Sequence, residues 1–409
     1  MNRSSLNRNL FRYAIGILIL LCILLVAVEV FYVQPQTAQD RASFITTIGS
    51  VVGGSALLIG LFFTWNQLQI TLDSQITDRL SKAVEQIGSD NLSVRIGGLY
   101  ALERIAIDSD RDILNIVEIL CAFIRVNSPS EFINRGVFAT ANEQYLSQEQ
   151  LDKIRQMIFN PPRPKEDIQV CLQVIANLVS QKHISKDEFT QLKLNLSGVN
   201  LIGAYIPEGL GLTNFFLDKS NLDFFCAPKG RDLTGIRANS ANLRGSRLNG
   251  AILKNADLSS SFIEGGILTE AILEECRFVD SRLDDAMLVG ARAKKASFNK
   301  ARLVKAKLWD ADLSDVDFRF AKMQGADLKK TNLTQAAIDC ADLQEADLEG
   351  AILKGTKLYK TNLRNAKNLT KGQLSQALLC QTILPDGTTS NRDCQQMGIV
   401  LKESTNEEK

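Results

Sequence analysis

From Leu233 to Leu363 every fifth residue is apolar, without one slip of phase. Leucine fills most of these positions. Phe278, Phe298, Phe318, Ile263, Ile338 and Met323 fill others, and only Ala238 and Ala293 are small. Two residues earlier sits a small side chain, usually alanine, as in Ala301-Arg302-Leu303 and Ala311-Asp312-Leu313. A helix repeats about every 3.6 residues and a strand every 2, so a strict period of five fits neither. Self-similarity at a short fixed period marks a solenoid, in which each unit buries its apolar face against its neighbours.

The pentad reads Ala-(Asp/Asn)-Leu-X-X, as in Ala256-Asp257-Leu258 and Ala346-Asp347-Leu348. It resembles the pentapeptide-repeat family. The resemblance implies an all-β, right-handed quadrilateral β-helix with one pentad on each of four sides. The centre residue and the small residue two before it then point inward, and the other three point out. Phe278, Phe298 and Phe318 are spaced 20 apart, so at four pentads per coil they stack as a ladder on one side. Phe298 follows Ala293 by one pentad and is placed to fill the room that alanine leaves, as close-packed interiors favour.

The repeats begin earlier in two other phases, Leu196, Leu201 and Ile206, then Leu212, Leu217 and Leu222. Each slip is a one-residue insertion, near Pro207–Gly211 and Phe225–Gly230. At strand spacing of about 4.8 Å, eight to nine coils stand roughly 40 Å tall. Open ends of such a solenoid would pair with other chains. Thr370-Lys371-Gly372-Gln373 is a capping box opening a short C-terminal helix through Ala377, and Pro385-Asp386-Gly387 is a turn. This tail is similar to those of cyanobacterial pentapeptide-repeat proteins.

The N-terminus is of another kind. Tyr13–Val28 carries no charge, and the apolar run continues past Glu29 to Val33; Phe44–Phe63 is a second uncharged stretch. Each is long enough to cross a hydrocarbon core of about 30 Å. Arg3, Arg8 and Arg12 precede the first, and the short loop between them holds only Asp40 and Arg41. The positive-inside rule predicts a two-span hairpin with both the N-terminus and everything after Trp65 in the cytoplasm. A cleaved signal peptide is the rival, disfavoured by the long apolar core and the absence of an A-x-A site. Gly49, Gly53, Ala56 and Gly60 form a small-residue stripe suited to packing within the hairpin, or to homodimerisation. Glu29 fits the outer headgroups.

Between membrane and solenoid, Leu68, Leu72, Ile76, Leu80, Val84 and Ile87 recur at helical spacing, so the second span continues as an amphipathic helix ended by Gly88. Further helices are predicted at Val94–Ile107, Ile113–Val126 and Ile168–Leu178, with Asp108, Ser109 and Asp110 as a turn and cap. The polar stretch 127–167 contains a Ser147–Gln150 capping box and Pro161-Pro162-Arg163-Pro164. Trp65–Ser89 and Val94–Ala106 resemble the connector of membrane-bound, mainly cyanobacterial, pentapeptide-repeat proteins. The domains are therefore 1–64 (two transmembrane helices), 65–182 (α-helical connector), 183–369 (β-helix) and 370–409 (capping helix and tail).

Catalytic constellations are lacking. The single histidine, His183, removes most His-based triads and metal sites. The cysteines form no C-x-x-C motif; Cys22 lies in a span, Cys121 and Cys171 fit helix cores, and Cys276 is inward. Cys380 and Cys394 could be joined across the turn, but a reducing cytosol favours free thiols. No phosphate-binding or dinucleotide loop occurs. Pairs such as Asp284-Asp285 and Glu274-Glu275 fall at outward positions, as solvated surface. No cofactor or metal is implied, and the chain is read as no enzyme.

The walls remain. Arg292, Lys294, Lys295, Lys300, Arg302, Lys305 and Lys307 form a basic cluster in sequence, and Arg282, Arg302 and Lys322, each 20 apart, form a basic column that suits anionic lipid or an acidic partner. The alternative is a solvated face. Val289 and Trp309 are both outward and 20 apart, a plausible contact anchor. From residue 193 to residue 367 Lys+Arg exceed Asp+Glu by 26 to 22, which disfavours a duplex mimic of the gyrase-binding kind. The reading is a non-catalytic scaffold, tethered to a bacterial plasma or thylakoid membrane, that presents a rigid surface to an unidentified protein. The alternative is a membrane-acting regulator whose hairpin oligomerises, with the solenoid as sensor.

Overall fold

The computed structural model describes residues 16, 20, 23, 24, 27, 37–109, 111–130, 147–159, 162–180, 194–207, 210, 213 and 215–399. They form two units, 1–82 and 83–409. The predicted first span lies outside the described residues, apart from Gly16, Leu20, Ile23, Leu24 and Ala27, which are helical. So does His183.

Helix α1, Ala38–Ile87, is continuous, so the second apolar stretch and the amphipathic segment are one rod. Its part from Gly49 is the one described helix long and apolar enough to cross a membrane. Among the described residues, a side chain added at Gly49, Gly53 or Gly60 would meet no atom within 4 Å. Gly88 ends α1 by bonding back to Val84 and Glu85.

Helices α2 (Leu92–Asp108), α3 (Ile113–Asn127), α4 (Gln148–Phe159) and α5 (Glu166–Ser180) follow. Asn91 caps α2, accepting from Ser93 and Val94. At the start of α3 the cap position is Asp112, not the expected 108–110 turn; Ser109 donates to it at 2.6 Å. Leu99, Leu102, Ile105, Ile116, Leu120, Ile124, Leu172 and Ile175 are buried, each from the periodic face of its helix. Gly98 is required by packing, because a Cβ there would lie 2.8 Å from Ile87. Arg95 on α2 donates to the nearly buried Asp167 on α5 at 2.8 Å.

Beyond Leu194 the backbone is a four-sided solenoid. Parallel bridges join each outer residue to the one on the next coil. Their spacing is 21 in the first coils, as in Asn200↔Asn221, 20 from Asp232↔Ile252 to Asp347↔Lys367, and 21 again at Lys357↔Leu378 and Asn362↔Ile383. Across the two insertions read from the sequence, pairing continues on three of the four sides among the described residues. Each corner is a tight turn. The small residue donates back to the preceding centre, as Ala256 does to Leu253 at 3.1 Å, and the residue between takes a positive φ, 56° at Asn255. The centres are buried throughout, and Phe278, Phe298 and Phe318 stack with centroids 4.7 and 5.0 Å apart. We name the four faces by their centres: Leu253 and Leu273 (first), Leu258 and Phe278 (second), Ile263 and Leu283 (third), Leu268 and Leu288 (fourth).

Both ends are covered. At the start, Pro129 pairs antiparallel with Val199, and Gln169 of α5 bonds both the amide and the carbonyl of Tyr205. At the end the expected capping box is present, Thr370 and Gln373 bonding each other's backbone, and it opens α6, Lys371–Gln376. Gln373 also donates to Leu348 and Ala351 carbonyls, satisfying acceptors the next coil would have taken. Strand β2 (Leu378–Cys380) then pairs parallel with β1 (Lys357–Tyr359), and β3 (Thr382–Ile383) pairs antiparallel with β4 (Thr389–Ser390). The expectation of free thiols is corrected here. Cys380 and Cys394 are bridged, their Cα atoms brought to 4.7 Å because Asp393 pairs with Leu379 through both backbone and side chain.

Phe298, stacked on both sides, is the position where truncation leaves the largest void in the ladder. Phe298→Ala should lower unfolding stability by about 3–5 kcal/mol, read as a shift in the denaturation midpoint with its slope unchanged.

Candidate interaction surface

On the third face, residues one place after the centres run Asp223, Arg244, Glu264, Asp284, and residues one place before them run Phe262, Arg282, Arg302, Lys322. Arg244 lies 3.8 Å from Asp223 and 3.4 Å from Glu264; Arg282 lies 2.9 Å from Glu264, and Arg302 lies 2.5 Å from Asp284. Acids and bases alternate along one wall. Phe262 lies under both guanidinium groups, 4.8 Å from Arg244 and 5.6 Å from Arg282. The wall is largely dry: Asp223 and Glu264 are fully buried and Arg244 nearly so.

The basic column is therefore real in register but differs from the open patch the sequence suggested. Arg282 and Arg302 are about four-fifths covered and ion-paired, and only Lys322 stands exposed. Asp284, expected as solvated surface, is buried instead, because it accepts from Arg302 and from the Val304 amide. Burial pushes the Asp223 carboxyl up to about 6, against the opposing pull of Arg244. Burial likewise raises Glu264 and Asp284.

The seven-residue basic cluster does not form a patch. Positions five apart fall on successive sides, so Arg292, Lys294 and Lys295 lie on the first face, Lys300 on the second, Arg302 and Lys305 on the third, and Lys307 on the fourth. They girdle one coil. Lys294 approaches Asp315 at 3.9 Å.

Val289 and Trp309 do share a column on the fourth face, since Val289 accepts from Glu270 and Trp309 from Gly290, one coil apart. Trp309 is 44% exposed. Beside them the corner is bare: a Cβ at Gly290 would meet only Glu270, at 3.9 Å. Met287, one coil on from Ile267, extends this apolar edge.

Three thiols are buried: burial pushes Cys121 up to about 12 and also raises Cys171 and Cys276, while Cys226 and Cys340 are half-buried. Among the described residues no cluster of His, Cys, Asp or Glu could hold a metal ion.

The elevated Asp223 carboxyl gives a signed pH prediction. Its folded pKa exceeds the unfolded value of about 3.9, so its contribution is fully present below pH 4 and lost as pH rises through 6. Asp223→Asn removes that loss. The stability of the variant relative to the parent should rise by roughly 2 kcal/mol between pH 4 and pH 7, measured by urea denaturation at each pH.

The pentapeptide-repeat model matches eight copies, at residues 232–265, 296–335 and 341–381. No curated protein matches the chain. Among solved structures, HetL, a pentapeptide repeat protein involved in heterocyst differentiation regulation from the cyanobacterium Nostoc sp. strain PCC 7120, is 27% identical. The match covers 48% of this chain and 87% of that one, with a TM-score of 0.27. A pentapeptide repeat protein from the Arabidopsis thaliana thylakoid lumen is 30% identical over 24% of this chain and 65% of its own, with a TM-score of 0.16. QnrB1, a plasmid-mediated fluoroquinolone resistance protein, is 15% identical over 43% of this chain and 94% of its own, with a TM-score of 0.23. The eight matched copies lie on the walls described above, so the solenoid of this chain carries pentapeptide repeats.

Proposed function

We propose that the protein is a non-catalytic, membrane-tethered interaction module whose solenoid wall engages a protein partner. Pentapeptide-repeat proteins are in general non-catalytic interaction modules. The observation that carries the reading is Trp309, exposed beside Val289 and the bare corner at Gly290 on a wall without internal freedom. An aromatic side chain on a rigid support anchors a contact at little entropic cost. The net positive solenoid argues against duplex mimicry.

The tether rests on the apolar first part of α1. Deleting residues 1–64 should release the protein from membranes that otherwise retain it through alkaline extraction. A photo-crosslinking residue at position 309 should trap a protein of defined mass in the native host, whereas the same residue at Arg319, on the second face, should not. Equal yields from both faces would defeat the Trp309 assignment.

The side of the membrane depends on the number of spans. Two spans and the basic N-terminus put the solenoid in the cytoplasm, which is the reading adopted. The Cys380–Cys394 bridge favours the second reading, one span with the solenoid on the oxidising side. Alkylation of intact cells before and after reduction separates them. Labelling of Cys380 by a membrane-impermeant reagent only after reduction means the outer side; labelling only in permeabilised cells means the cytoplasm.

A further inference from the structure

Helix α4 has an unusual place in the molecule. Its Leu151 and Ile154 are buried with Phe224, and Met157, Ile202 and Ile267 pack against that cluster. Every partner of α4 in this cluster belongs to the solenoid; none comes from α2, α3 or α5. The floor is the corner column of the third face, Gly203, Phe224, Gly245 and Gly265 on consecutive coils. A Cβ at Gly265 would lie 3.0 Å from Ile154; one at Gly245 would first meet the Phe224 ring of the preceding coil at 2.7 Å and then Ile154 at 3.1 Å. At Gly203 an added Cβ would run into the Pro162 carbonyl oxygen.

Positive φ does not by itself explain these glycines. Asn255, Glu275, Lys295 and Lys305 hold φ of 56–59° at equivalent corners. Glycine at 203 and 265 fits the close approach of something laid along the column, glycine at 245 also makes room for Phe224, and what lies along the column is one amphipathic helix followed by Pro162. The dry ionic wall is next to it. Asp223, Arg244 and Glu264 retain buried polar atoms without a hydrogen bond, so covering this face is opposed by desolvation.

We propose that this face is a receptor for an amphipathic helix, that α4 is its internal occupant, and that a partner helix with apolar residues at the spacing of Leu151, Ile154 and Met157 takes its place. The proposal deepens the interaction-module reading by naming a second surface and the kind of partner it fits. Helices α2, α3 and α5 keep their mutual packing when α4 leaves, because the apolar cluster beneath α4 contains none of them. A tethered occupant acts at an effective concentration in the millimolar range, so an external helix competes only when it binds well or when α4 is weakened.

The test uses the full-length protein and a labelled peptide of residues 147–159. Ile154→Asp should release α4, so the peptide should bind that variant at least about tenfold more tightly than the parent. The peptide carrying the same substitution should bind neither. Equal binding to variant and parent, or no binding to a variant whose β-helix circular dichroism is intact, overturns the proposal. If the variant does not fold, hydrogen exchange on the parent decides: α4 amides should exchange at least about tenfold faster than those of α3 and α5, and equal protection overturns the proposal. Crosslinking at Trp309 reads the fourth face two coils beyond Ile267, so either result can fail without the other.

Discussion

The structure depends on one closure repeated along the chain. A centre carbonyl accepts from the amide three residues on, and the residue between them sits at positive φ. That turn rotates the chain by a quarter circuit after every pentad, and the outer backbone groups then pair with the next coil. Polar backbone is satisfied between coils and apolar side chains are satisfied inside. The wall therefore does not depend on what its outward side chains are. They are free to vary, and one wall can carry alternating acids and bases while another carries valine and tryptophan.

Periodicity made the solenoid legible. The centre positions, the phenylalanine ladder, both insertions and the C-terminal capping box follow from spacing alone. Spacing misled where linear and spatial neighbourhood part. Seven basic residues close in sequence encircle a coil, because adjacent pentads face different ways. Asp284 looked solvated because its pentad position is outward; it is covered through a contact between coils that one repeat does not encode. The N-terminal cover was not readable either. Its strand at Pro129 and its helix α5 lack the repeat and act on the first coil across some 40–70 residues of sequence. The bridge between Cys380 and Cys394 was visible as a pair, but compartment was used to decide against it, and geometry decides for it.

The buried ionic wall needs a reason to persist. Replacing such pairs by apolar residues is often neutral or stabilising, and the neighbouring faces manage with isoleucine and methionine at the same positions, as at Ile272 and Met287. Charge is retained on the third face, where α4 is docked. A floor of opposed charges holds register between coils and penalises any cover that does not match it, while the apolar column beside it supplies attraction. Together these give a surface that is selective without being strongly adhesive.

A rigid tube has few ways to respond to anything. Its coils are cross-bonded, and of the helices packed on it α4 belongs to neither the repeat nor the mutual packing of α2, α3 and α5. Its attachment rests on a few apolar side chains over glycine corners, against a wall that resists dehydration. A segment attached by few apolar side chains to a stiff support is where local opening is cheapest. In a protein whose walls cannot move, regulation is then confined to what covers them, and the third face is the covered one.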